Sequence, residues 1–285
     1  MFESALRSRE HELSAYAFEN IALWQSLYAV LWTHLAGNLC VFLRDELGIF
    51  LYLPPLGASV SPQALEQAYM LMEEANRGSR ASRIENIEES DRPFFEQAGF
   101  ECTSKTGEYL CSRSALSHLR GNAYKSKRWS VNVFLRGGTP VFGHMTPDDA
   151  AECLSLYDRW RSALLQKPRD AVFTGMLEDM RRCLPAAIAQ IGVSAWTGRC
   201  VRAEGRLLAY TLGYPVSERT FCVFYEIADP DAAGSAQYIF QRFCADLASY
   251  ETINIMDDCG LPHLTRVKQS YRPVRCAPNY TATRK

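Results

Sequence analysis

The residues best placed to do chemistry are one carboxylate, two lysines and a tyrosine. Glu226 sits inside the apolar run FCVFYEIA at 221–228, which reads as a strand. In strict alternation it shares a face with Cys222 and Phe224. A carboxylate on an inward face is either paired with a cation or raised in pKa, and a raised one suits a general base for an attacking amine. Lys127 and Lys268 each fall within an apolar stripe of helical spacing, the first among Ala123, Tyr124, Val131, Phe134 and Leu135, the second between Leu264 and Tyr271. A lysine so placed either snorkels to water or holds a buried anion. For Lys268 the structural alternative is an ion pair with Asp258 that fastens helix to strand. No G-x-S-x-G elbow or C-x-x-C occurs, and the five histidines lack ligand spacing, so neither a serine nucleophile nor a metal site is expected.

The charges around these residues are segregated. From Tyr109 to Pro147 there is no Asp or Glu, yet Arg113, Arg120, Lys125, Lys127, Arg128 and Arg136 fall inside; after Asp258 acids stop again, while Arg266, Lys268, Arg272, Arg275, Arg284 and Lys285 follow. In a chain of formal net charge −1, two such stretches are either solvated basic faces or attract a phosphate-rich ligand. Gly121-Asn122 and Gly137-Gly138 bracket a helix on which Lys125, Arg128 and Asn132 align at i, i+3 and i+7. Lys127, Arg128 and Lys268 are expected to converge on one anion site.

At 285 residues, 47% hydrophobic and 22% charged, the chain suits two domains of ordinary size, or one large one, with a sizeable core. No apolar run approaches a membrane span, and the polar start MFESALRSREHELS lacks a signal-peptide pattern. Ten scattered cysteines, several inside apolar runs, read as reduced core residues of a cytoplasmic protein. Helices are expected over 13–31, 62–76, 91–98, 122–136, 150–165, 174–190, 235–250 and 262–271. Strands are expected over 39–43, 49–53, 83–87, around Tyr109, and over 195–201, 206–214, 221–228 and 253–256. This order reads as α+β.

The run EYL…L…L(R)G…Y…KR…N.F, carried by Glu108, Tyr109, Leu110, Leu116, Leu119, Gly121, Tyr124, Lys127, Arg128, Asn132 and Phe134, resembles the central motif of the phosphatidylglycerol lysyltransferase C-terminal domains and their soluble relatives. FEN-x-x-LW near the start and YLPPLG add to the likeness. Ala123 and Trp129 depart from it, standing where the family usually has a basic and a small polar residue. The resemblance implies two tandem acetyltransferase-like (GNAT) domains joined by a central helix, here 1–136 with that helix and 137–285. It also implies an acyltransferase. The donor is then aminoacyl-tRNA, held by its acceptor end, or alternatively an acyl-coenzyme A, and the acceptor a small-molecule amine or a hydroxyl. A fold kept only for binding a ligand or nucleic acid is the third option. A coenzyme A pyrophosphate turn would lie at Asp231–Ala236, where Gly234 and Ala236 fit and Asp231 does not. Asn254, Asp258, Gly260, Leu264, Lys268, Tyr271 and Pro273 match a closing motif N-R-E-x-D-x-G…L…K…Y-x-P, with Ile255 and Met256 in place of its Arg and Glu. The implied roles are catalysis by Glu226 and Tyr271, the tyrosine as proton donor to the leaving atom. Donor or anion binding falls to Lys125, Lys127, Arg128, Asn132, Gly234, Asp258, Arg266 and Lys268, without metal.

Overall fold

The computed structural model describes residues 2–167 and 169–284; Lys285 of the C-terminal basic run lies outside the described residues. The chain forms two compact units, one of residues 1–108 with 276–285 and one of 109–275.

The first unit runs through α1 (Phe2–Leu6), α2 (Phe18–Leu23), β1 (Ala29–Leu35), β2 (Asn38–Arg44), β3 (Ile49–Leu51), α3 (Pro62–Ala75), β4 (Ile84–Glu88), α4 (Arg92–Gln97) and into β5 (Glu101–Ser112). The long helix expected over 13–31 is absent. Extended Ala17 (φ −87°, ψ 140°) separates a 3-10 turn at Ser14–Tyr16 from the short α2, and residues 29–31 are drawn into β1 by pairing with β2. Glu88 accepts from Glu12 N (2.8 Å) and Glu108 from both Ser14 N (2.8 Å) and Ser14 Oγ (2.7 Å), which fastens the start of the segment. Ala36 and Gly37, at φ 44° and 87°, close the β1–β2 hairpin with both central residues left-handed, a type I′ turn. Phe42, Leu51, Leu65, Tyr69, Met72, Ile84 and Phe95 form this unit's core.

The second unit begins in the last residues of β5. It continues as α5 (Arg113–His118), α6 (Lys125–Arg136), β6 (Val141–His144), α7 (Ala150–Leu164), α8 (Ala171–Ala189), β7 (Thr197–Ala203), β8 (Arg206–Pro215), β9 (Thr220–Ala228), α9 (Ser235–Asp246), β10 (Thr252–Asn254) and α10 (Pro262–Gln269). Its strands are ordered β5-β10-β9-β8-β7-β6, parallel at β10/β9 and antiparallel elsewhere. The chain then returns to the first unit as β11 (Arg275–Thr283), antiparallel to β4. No described helix is long and apolar enough to cross a membrane.

The expected division at 136/137 is therefore corrected to 108/109, with the last ten residues rejoining the first unit. The helix expected to join two domains, α6, lies wholly inside the second unit: Tyr124 just before it and Val131 upon it are buried in one core with Tyr238, Phe240 and Phe243 of α9. Gly137-Gly138 only stops that helix ahead of β6, which pairs with β7.

One irregularity in the β8–β9 ladder sets the site. Thr211 pairs with Glu226 and Leu212 with Tyr225, but Gly213 pairs with Val223 and Tyr214 with Cys222. Phe224 is the extra residue of a β-bulge, which shifts the alternation by one. Cross-strand partners share a face, so Glu226 faces the side of Val223 and Phe221, not that of Cys222 and Phe224 as strict alternation predicts. Gly213 makes the bulge possible: a Cβ there would stand 2.0 Å from the Cys222 carbonyl oxygen and 2.5 Å from the Phe221 ring. Because that oxygen is backbone in a paired strand, Gly213→Ala should cost at least about 2 kcal/mol, read as a lowered urea midpoint at unchanged m-value. An alanine variant of wild-type midpoint would show that the bulge does not depend on glycine.

Candidate functional site

Three elements of the second unit bring the expected chemistry together: α6 supplies Lys127, β9 supplies Glu226, and α10 with the turn after it supplies Lys268 and Tyr271. Tyr271 is 6% exposed and is fixed on three sides. Its ring packs edge-on against Phe240 at 4.7 Å, its carbonyl accepts from Tyr124 Oη at 3.2 Å, and Lys127 Nζ lies 3.7 Å above the ring centroid. That last contact is a cation–π pair. Lys268 donates to the Ile255 carbonyl, which aims its ammonium at the end of β10. Neither lysine closes an ion pair with Glu226. The Glu226 carboxylate and the Tyr271 hydroxyl have no hydrogen-bond partner among the described residues.

Burial governs the electrostatics. Glu226 keeps some accessible surface, yet desolvation pushes its pKa up to about 7 against the pull of Lys127 and Lys268. Burial lowers the Lys127 pKa against Glu226, and that of Lys268 against Asp257 and Glu226. Burial followed by the nearby Glu226 raises Tyr271 well above the phenol range. Four ionisable groups thus share a poorly solvated space without neutralising one another, an arrangement that marks functional sites more often than scaffolds.

The other expected site residues divide differently. Arg128 Nη1 donates to the carbonyls of Leu119 and, at 2.6 Å, Gly121, so it caps the end of α5 and does not join Lys127 and Lys268. Asp258 makes no ion pair with Lys268. Burial alone would raise its pKa, but donation from Thr265 Oγ1 (2.6 Å), Tyr109 Oη (2.8 Å) and Gly260 N (3.0 Å) holds it below the usual carboxylate range. It ties the 255–260 loop, strained by positive φ at Met256 and Cys259, to β5 and α10. Gly234 is taken up by packing: at φ 85°, a Cβ on it would meet the Ser130 carbonyl oxygen of α6 at 2.1 Å, so α6 covers this glycine and leaves no cradle over it. Lys125, Asn132 and Arg266 are exposed. Sequence reasoning missed Tyr124, which props Tyr271, and the Ile255 carbonyl. Tyr124 carried a signal in its place on the apolar stripe, whereas a backbone acceptor carries none. Among the described residues no cluster of His, Cys, Asp or Glu is placed to hold a metal.

The folded state holds the Glu226 proton more tightly than the unfolded chain, so the glutamate's contribution to stability is present at low pH and declines from about 4.5 through about 7. Glu226→Gln should therefore gain about 1–3 kcal/mol on the parent between roughly pH 4 and pH 8, measured by urea unfolding at both. An offset that does not change with pH would mean that Glu226 titrates normally.

The family profile "Phosphatidylglycerol lysyltransferase, C-terminal" matches residues 7–283. No protein with a curated description matches. Among solved structures, a conserved protein of unknown function from Bacteroides thetaiotaomicron superposes with a TM-score of 0.86 at 23% identity, covering 100% of this chain and 95% of that one. L-PGS from Bacillus licheniformis gives 0.70 at 16%, covering 100% and 91%, and FemX 0.65 at 9%, covering 100% and 94%. These likenesses show a shared α+β fold with a mixed sheet, and the family profile supports acyl transfer as the class of chemistry. A match across residues 7–283, bearing the motif residues that assemble this site, makes the chain a member of the phosphatidylglycerol lysyltransferase C-terminal family.

Proposed function

We propose that the second unit is an acyltransferase that moves an aminoacyl group from aminoacyl-tRNA to an amine or hydroxyl acceptor. The observation that carries this reading is the unpaired Glu226 carboxylate, raised to about 7, beside two lysines and an unpartnered tyrosine hydroxyl. In the step, the acceptor nitrogen or oxygen bonds to the ester carbonyl carbon and passes its proton to Glu226. The bond from that carbon to the ribose oxygen breaks, and Tyr271, protonated throughout because its pKa is so high, gives its proton to the leaving oxygen. Glu226 then returns a proton to Tyr271. Lys127 and Lys268 offer positive charge to the oxyanion that forms on the carbonyl.

The closed space over Gly234 and the acidic Asp231 at the start of that turn favour tRNA over coenzyme A as donor. The family takes its name from lysyl transfer to phosphatidylglycerol. Here Ile255 and Met256 replace the motif's Arg and Glu, so lysine as the transferred group is not carried over. The GNAT description of the fold, without a linking helix, and a cytoplasmic location remain part of this proposal.

The test follows label from bulk tRNA charged with radioactive amino acids onto an amine acceptor across pH. Transfer should rise with pH through about 7, since only ionised Glu226 accepts a proton. Glu226→Gln should slow it about 10²–10⁴-fold and remove that limb. Transfer from acyl-coenzyme A alone, with none from tRNA, would move the function to ordinary N-acyl transfer.

A further inference from the structure

A recess of ≈ 340 Å³ opens beside α5, lined by Ser112, Ser114, Ala115, His118, Arg120 and Tyr124. We propose that it seats a backbone phosphate of the polynucleotide donor, and that the adjoining face of α6 carries the unpaired bases at its 3′ end. The inference rests on the tRNA reading above and names the surface that would hold the donor.

The lining has phosphate-binding chemistry: a guanidinium, an imidazole, two serine hydroxyls and no acid. Arg120 is exposed and forms no ion pair among the described residues. His118 Nδ1 lies 2.8 Å from the Ser114 carbonyl oxygen; a carbonyl only accepts, so Nδ1 carries a hydrogen, and Nε2 donates to a phosphate oxygen when the ring carries its second proton. The recess also adjoins the site, because Tyr124 in its wall donates to the Tyr271 carbonyl. A phosphate held here is one residue away from the tyrosine assigned to the leaving ribose oxygen.

The next turns of α6 decide between polynucleotide and free phosphate. Lys125 follows Tyr124 directly, and Trp129, at i+4 from Lys125, shares its face and is 65% exposed. Basic groups leading to an exposed indole give a single strand both backbone charge and a stacking platform. None of the six lining residues is an exposed large apolar side chain, which a lipid headgroup site at an acyl boundary would need.

The test measures binding of bulk tRNA between about 50 and about 200 mM salt. The double variant His118→Gln, Arg120→Gln should bind more weakly, with a log–log salt slope shallower by about one. Arg120→Lys should restore most of that slope. Trp129→Ala should weaken binding about five-fold or more at an unchanged slope, because stacking is not ionic. All three side chains are exposed, so melting temperatures should match the parent. If the parent binds no tRNA, the donor assignment itself fails. Parental binding with neither variant changed overturns the inference and leaves that assignment standing. Loss of binding to vesicles of equal parts phosphatidylglycerol and phosphatidylcholine, with tRNA binding intact, also overturns it.

Discussion

A poorly solvated carboxylate without a hydrogen bond is the constraint on which the second unit turns. Burying an ionised carboxylate costs several kcal/mol unless it is paired, and Glu226 answers by keeping its proton up to about pH 7. The surroundings could have neutralised it, since two ammonium groups face the same space. They are instead tied elsewhere, Lys127 by the Tyr271 ring and Lys268 by the Ile255 carbonyl. Those tethers keep the charges near one another without letting them collapse into an ion pair. The apolar core beneath them, from Leu116 through Phe243 to Ile253, supplies the stability that such an unsatisfied arrangement consumes.

The scaffold separates its polar residues into two kinds. Asp258 and Arg128 are spent on backbone and loop geometry, each satisfying several donors or acceptors that would otherwise be orphaned. The Glu226 carboxylate, the Tyr271 hydroxyl and the Lys127 ammonium are not spent in that way, and Lys268 gives one bond to the Ile255 carbonyl. Sequence spacing cannot tell the kinds apart, because a charge next to an apolar stripe looks the same whether it caps a helix or awaits a ligand. Arg128 adjoins Lys127 in sequence, yet at about 100° per residue their side chains leave α6 in different directions.

Much of the fold was legible locally. Ser61-Pro62 announces α3, and Ser61 Oγ does accept from Ala64 N at 3.3 Å. Thr146-Pro147-Asp148-Asp149 announces α7, with the reciprocal box between Thr146 and Asp149 in place. The three strands β7 to β9 follow their apolar runs. What failed was non-local. Residues 13–31 have helical composition, but the carboxylates that fasten their start come from positions 88 and 108, and their end is paired with β2. The tail after Pro273 reads as a basic terminus because its pairing partner, β4, lies almost two hundred residues earlier. The site lay between these extremes. Its four main residues could be named from type and stripe, while the face of Glu226 could not, because a bulge is written in the register of two strands and only hinted at by Gly213.

The charge arrangement also bears on what can occupy the proposed site and in what order. Lys127 and Lys268 are the groups that lower the Glu226 pKa; an anion that engaged them would weaken that pull and drive the carboxyl further toward its neutral form. A cationic acceptor does the opposite. An incoming ammonium favours ionised Glu226, and a carboxylate so formed is ready to take the proton that the ammonium must lose before it can attack. A donor that brings its phosphates to Arg120 and His118, away from the two lysines, avoids that penalty. Keeping the phosphate contacts outside the Glu226 pocket then lets one carboxyl remain a competent base while a polyanion is bound.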